Sequence, residues 1–180
     1  VLERDWGSPR YLFAGRDWQR KNADRVLDAF MRVQSLIPAA TLDLVGPPVS
    51  SYDLAQMPGV NVHGPLELGD ELDRRTLMRL YAESTCFVMP SLCEAFGIAY
   101  LEAGACGVGS IGTANGGAAD AIGEGGLVVD PRDPALIAAA MLRFADPLEA
   151  REFGRLARAR AADYTWERVA GRILSVLLSS

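Results

Sequence analysis

Three groups of residues in this chain have the types and spacing to hold an anionic, hydroxyl-bearing ligand. The first is Gly15-Arg16-Asp17-Trp18-Gln19-Arg20-Lys21-Asn22. Arg16 offers a planar fork and Lys21 a point charge, the chemistry of a pyrophosphate clamp; a solvated charged loop has the same composition. The second is Glu94-Ala95-Phe96-Gly97-Ile98-Ala99-Tyr100-Leu101-Glu102, with two carboxylates eight positions apart. Vicinal sugar hydroxyls can donate two hydrogen bonds to one carboxylate. Gly97 lets a backbone approach a ligand closely, and the first N–H groups of a helix opening at Ile98 would face an anion. Glu94 falls at the mouth of that helix, where a capping acid is the competing role. Glu102 is the only charged residue between Glu94 and Asp120. A helix apolar on nearly every face is expected to be buried, and a carboxylate within it needs a polar partner; the alternative is a glutamate that faces solvent. The third group is Gly116-Gly117, which suits either close contact with a ligand or an ordinary tight turn. His63 could wall a base pocket through its backbone, although a lone histidine at a strand end is commonly structural.

These residues require elements that bring them to one place. Short apolar runs alternate with helical patterns, as in a parallel sheet with crossover helices. Strands are expected over 11–15, 41–46 (stopped by Pro47 and Pro48), 60–63, 85–89, 110–113 and 127–129. Helices are expected over 24–37, after an N-cap at Asp70 with Leu72, Leu77, Leu80 and Tyr81 inward, and from Ile98. Further helices are expected over 118–122, from Asp133-Pro134 to Phe144, over 149–164, and after Thr165 with a stripe of Trp166, Val169, Ile173, Leu174 and Leu177. The fold class is therefore α/β, a doubly wound six-stranded parallel sheet with helices on both faces. Ligands of such sheets bind beyond the carboxyl ends of the strands, where all three groups fall.

Composition narrows the chemistry. A length of 180 residues fits one domain. The net charge of −5 argues against nucleic acid, which needs clustered cations. Three cysteines without C-x-x-C spacing read as reduced thiols in a cytoplasmic protein, with no metal site. No apolar run is long enough to span a membrane. Gly107-Val108-Gly109-Ser110-Ile111-Gly112 matches the dinucleotide fingerprint, but a helix precedes it and a strand follows, the reverse of the required order. There is no D-x-D pair to hold a divalent ion on a diphosphate, so neutralising charge must come from the protein.

Taken in order, G-R-D-W-Q-R-K-N, V-H-G-P, V-M-P-S-L-C-E-A-F-G-I, L-E-A-G-A-C-G, N-G-G-A-A-D, G-G-L-V-V-D-P-R-D and Y-T-W-E-R-V-A resemble the C-terminal, donor-binding domain of GT-B-fold retaining glycosyltransferases of family 4, the glycosyl transferases group 1. The resemblance covers nearly the whole chain and implies a Rossmann-like half of a GT-B fold. It implies that Arg16 and Lys21 neutralise the donor diphosphate and that Glu94 contacts the transferred sugar, these three being the catalytic set. Phe96, Gly97 and Ile98 would meet the phosphates by their backbone, Glu102 would bind the ribose, and Gly15, His63, Gly116 and Gly117 would complete the donor site. The donor would be a UDP-, GDP- or ADP-sugar, used without metal or other cofactor. Asn22 stands where that family usually has glycine, Gly109 replaces a common proline, and Asp120 a common glutamate.

The family has two similar domains with the active site between them. The expectation is that residues 1–10 are the end of a linker and 11–180 the nucleotide-sugar-binding domain. The N-terminal acceptor domain is then the missing partner, and any peripheral membrane association belongs to that half. A stand-alone nucleotide-sugar-binding or regulatory module without catalysis is the alternative.

Overall fold

Six short runs rich in β-branched and aromatic residues pair as strands in the computed structural model, which describes residues 4–46, 54 and 56–178. They are β1 (Arg10–Ala14), β2 (Thr41–Val45), β3 (Val60–Gly64), β4 (Cys86–Val88), β5 (Gly109–Thr113) and β6 (Gly126–Val129), all parallel, in the spatial order β3-β2-β1-β4-β5-β6. The helices are α1 (Ala23–Leu36), α2 (Glu71–Glu83), α3 (Ile98–Ala105), α4 (Ala118–Ile122), α5 (Pro134–Arg143), α6 (Pro147–Ala162) and α7 (Trp166–Leu178). This is the doubly wound α/β sheet that the alternation predicts. Pro47 and Pro48, expected to stop β2, lie outside the described residues.

Both faces of the sheet carry aromatic cores. Tyr11 meets Phe30 of α1 edge-on at 6.2 Å, and its hydroxyl donates to the Met141 carbonyl of α5 at 2.7 Å. Neighbouring residues of a strand point to opposite faces, so Phe87 of β4 serves the other layer. It lies 5.7 Å from both Tyr81 of α2 and Tyr100 of α3. Tyr11, Phe13, Phe30 and Phe87 are fully buried.

Helix starts follow their chemistry. Asp70 accepts from the Leu72 and Asp73 N–H groups, and Asp133 from those of Ala135 and Leu136. Asp146 does the same for Leu148 and Glu149 with Pro147 at the first turn, so α6 begins two residues before its expected start. Leu72, expected to face inward, is 73% exposed; α2 packs through Leu80 and Tyr81 instead. No residue of α7 is buried, and Trp166 stands 82% exposed at its start.

The segment leading into β1 is fastened to the body by Arg4, with Trp6 packed against the core beside it. Arg4 donates to the Ala82 carbonyl at the end of α2 and to the Cys106 and Gly107 carbonyls after α3, at 3.0, 2.9 and 2.7 Å. These are carbonyls that helix ends leave without a partner. The guanidinium lies 4.8 Å from the centre of the Trp6 ring.

A buried charge ties the left half of the sheet together. Asp43 of β2, 1% exposed at its side chain, accepts from Arg10 Nε and lies against His63 Nε2, both at 2.7 Å. Asn61 Nδ2 adds a longer bond of 3.3 Å, and Arg10 also reaches Glu83 at 2.7 Å. Burial alone would raise the Asp43 carboxyl; its hydrogen bonds to His63 and Arg10 outweigh this and hold it below its ordinary value. A lowered carboxyl contributes stability that is present above its unfolded pKa and lost as pH falls through the folded one. Asp43→Asn is therefore expected to cost about 2 kcal/mol at about pH 6. Urea denaturation should find that difference shrinking below about pH 4; a constant difference down to about pH 2 would contradict the charged role.

Candidate functional site

The strand order reverses between β1 and β4, and in open parallel sheets the ligand crevice lies at that point, beyond the carboxyl ends. The loop after β1 carries Gly15 to Asn22 and the loop after β4 carries Met89 to Gly97, so two of the three groups are placed side by side. They are joined by charge: Lys21 Nζ donates to Glu94 Oε2, with both side chains largely buried. Ser91 Oγ donates to the same oxygen at 3.2 Å. Arg20 Nη1 stands 4.0 Å from it and donates to the Cys93 carbonyl at 3.3 Å.

The third group braces Glu94 from the other side. The Glu94 N–H donates to the Asn115 carbonyl at 3.2 Å, and the Gly117 N–H donates to the Glu94 carbonyl at 3.0 Å. Glu94 and Gly116 form an isolated parallel bridge. A Cβ on Gly116, whose φ is +96°, would lie 1.8 Å from the Glu94 carbonyl oxygen; one on Gly117 would lie 2.6 Å from that of Ala95. The glycine pair is thus required by the loop it supports, a reason that neither the ligand nor the turn reading supplied. Gly15 has a similar duty, since a Cβ there would lie 2.8 Å from Lys21 Cγ. Its bareness lets the lysine stem cross to Glu94.

Gly97 begins α3 in the left-handed region, at φ +88°, where a Cβ would strike the Tyr100 ring at 2.4 Å. No side chain caps this helix start, which leaves the N–H end of α3 at the reversal point available to an anion. Phe96 packs on Tyr164 at 5.4 Å, and the Ile98 side chain is exposed.

Arg16 does not share Glu94 with Lys21. It is 65% exposed and leans towards the loop after β3, pairing with Glu67 at 2.8 Å and donating to the Leu66 carbonyl at 3.3 Å. The two cations therefore flank the crevice from opposite sides. The His63 ring is committed to Asp43, so at that position the backbone is what remains for a ligand. Glu102 corrects an expectation: it is exposed, not buried. Helix α3 buries Tyr100, Ala103 and Gly104, and a Cβ on Gly104 would lie 2.7 Å from the Ala157 carbonyl oxygen of α6. The opposite side of this short helix faces outward with Glu102 on it. Its partner is the Tyr81 hydroxyl, which donates at 3.3 Å. Burial, and then the neighbouring carboxylate, push that phenol well above its ordinary value, so it remains a donor near neutrality.

Lys21, already expected in the clamp, carries a further compositional signal, and Asn22, expected only as a departure from glycine, has a structural role that the motifs do not give. Lys21 is the chain's one lysine among 18 basic residues, a compositional signal for a site where a compact ammonium is wanted. Asn22 is buried in the left-handed region (φ 65°, ψ 37°) and its Nδ2 donates to the carbonyls of Pro90 and Pro131 at 3.1 and 2.5 Å. Asparagine tolerates this conformation better than other side chains, which explains why it can stand in for glycine here.

Residues 8–146 match the family described as Glycosyl transferases group 1. The chain is 30% identical to a glycogen synthase of Mycobacterium tuberculosis over 97% of its own length and 43% of that protein. It is 38% identical to a D-inositol 3-phosphate glycosyltransferase of Acidothermus cellulolyticus over 56% of its length and 23% of the relative. Among solved structures, a sucrose-phosphate synthase from Thermosynechococcus elongatus superposes with a TM-score of 0.75 at 28% identity, covering 97% of this chain and 46% of that one. The chain thus spans about half the length of such relatives, and its sheet is the Rossmann-like half of a GT-B fold.

Asn22 makes two separable contributions, its backbone conformation and its two side-chain bonds. Asn22→Ala loses both the conformational tolerance and the two side-chain bonds, and should cost about 2–3 kcal/mol. Asn22→Gly loses only the bonds and should cost about 1 kcal/mol less. Chemical denaturation of the two variants checks this; equal losses would mean that the backbone conformation carries no weight.

Proposed function

This chain belongs to the glycosyl transferases group 1 family, and from that premise we propose that it is the donor-binding half of a retaining, metal-independent glycosyltransferase. In this reading it binds a UDP-, GDP- or ADP-sugar from which a hexose passes to an acceptor hydroxyl. The observation that carries the reading is the Lys21–Glu94 pair beside the uncapped start of α3, at the point where the strand order reverses. A cation, free helix N–H groups and a fixed carboxylate are the complement of a diphosphate joined to a polyol.

The roles are those that the resemblance to the family implies, and the geometry is compatible with them. Lys21 and the α3 N–H groups meet the diphosphate from the β4 side, and Arg16 closes on it from the β3 side after leaving Glu67. As the bond between the anomeric carbon and the phosphate oxygen breaks, negative charge grows on the leaving diphosphate. Cations already in place stabilise that charge more than they stabilise the bound donor. Glu94 accepts hydrogen bonds from hydroxyls of the transferred sugar. Glu102, oriented by Tyr81, accepts from the ribose. The acceptor oxygen bonds to the anomeric carbon on the face that the diphosphate leaves, and its proton passes to a diphosphate oxygen. No protein carboxylate is needed as a nucleophile. A second domain supplies the acceptor contacts, which the greater length of the relatives supports, and this chain by itself binds the donor without efficient transfer. A cytoplasmic setting belongs to the same reading; no helix among the described residues is long and apolar enough to cross a membrane.

Calorimetry with UDP, GDP and ADP tests the site. One of them should bind at micromolar to millimolar affinity, and Lys21→Ala should weaken it about tenfold or more. Glu102→Ala should weaken the ribonucleotide about three- to tenfold and leave its 2′,3′-dideoxy analogue unchanged. Binding of none of the three would overturn the donor assignment; equal loss for both sugars would overturn the ribose role alone.

A further inference from the structure

We propose that Glu94 makes this site discriminate between a nucleoside diphosphate that carries a sugar and one that does not, and does so mainly by penalising the bare form. The inference rests on the donor-site reading above. Glu94 is fixed: its N–H and carbonyl are bonded to Asn115 and Gly117, Ser91 holds one carboxylate oxygen, and the side chain is 9% exposed. Lys21 is the movable member of the pair. Its stem crosses directly over the bare Gly15, where a Cβ would lie 2.8 Å from Lys21 Cγ, and its ammonium is a point charge on a four-carbon stem that can turn towards an anion.

A diphosphate that binds at the start of α3 must draw Lys21 towards itself. The Glu94 carboxylate then loses its closest cation and gains a negative neighbour. Arg20 compensates poorly. It stands 4.0 Å away, and its guanidinium is already engaged by Asp17 at 3.1 Å and by the Cys93 carbonyl. Ser91 remains as a neutral donor. A nearly buried carboxylate with one neutral donor beside an anion is costly. A sugar on the diphosphate supplies hydroxyl donors to that carboxylate and offsets the cost; a bare diphosphate supplies none. The repulsive element is thus what separates the two ligands. After transfer the departing diphosphate is the bare form, so the same carboxylate speeds its release.

Removing this charged group from the site should tighten one ligand. Titration calorimetry of the wild-type chain, Glu94→Gln and Glu94→Ala would use UDP, GDP and ADP together with UDP-glucose, GDP-mannose and ADP-glucose. The bare diphosphate that binds the wild type should bind both variants about three- to tenfold more tightly. The matching nucleotide sugar should bind them no better than it binds the wild type, so that the preference for the sugar-bearing form collapses. Glu94→Ala decides the sign if Glu94→Gln alone fails to fold. Equal or weaker binding of the bare diphosphate by the variants overturns the inference and leaves the donor site standing. Failure of the wild type to bind any of the six ligands overturns both.

Discussion

Parallel pairing of β1 with β4 makes two loops distant in sequence leave the sheet at the same end, side by side. Everything at the candidate site depends on that adjacency. It lets Lys21, at the end of one loop, reach Glu94, in the other, and lets Asn22 tie Pro90 to Pro131. The reversal of strand order sends the next connections to opposite sides, which opens the crevice instead of filling it. Long-range pairing of this kind is held by the core on both faces, where Phe87 touches both α2 and α3.

The two buried carboxylates among the described residues are handled in different ways. Asp43 lies in the middle of β2 and is surrounded by Arg10, His63 and Asn61. A buried charge so fully paired contributes to holding three strands and the end of α2 together. Glu94 lies at the carboxyl end of the sheet, and its strongest partner is a single lysine ammonium. The first arrangement leaves no vacancy for a ligand. The second has a partner that can be exchanged, which is what a binding site requires. Backbone bracing by Gly116 and Gly117 keeps the exchange confined to side chains.

Much of the architecture was legible because its signals are local. Apolar runs separated by Asp-Pro starts and Gly or Pro stops mark all six strands and all seven helices described, within a few residues. Helix α6 starts earlier than its charged stretch suggests because Asp146-Pro147 repeats the capping chemistry of Asp133-Pro134. Structure and sequence part where an apolar composition does not mean burial. Helix α3 is apolar on most sides, yet it packs through Tyr100, Ala103 and Gly104 and leaves Glu102 outside. The apolar stripe of α7 likewise covers no core.

The order of residues along the chain by itself determined which side chains could take part: one lysine, two glutamates in the fixed E-x7-E spacing, and a pair of glycines. It also determined the alternation that makes a doubly wound sheet, because strand and helix periods are written in neighbouring residues. Only the tertiary structure decided how those side chains are paired. Arg16 belongs to Glu67, Lys21 to Glu94, His63 to Asp43 and Glu102 to Tyr81. The partners in each of these pairs lie between 20 and 73 positions apart in the chain. Contacts over such separations are set by strand order and packing, which no local spacing encodes.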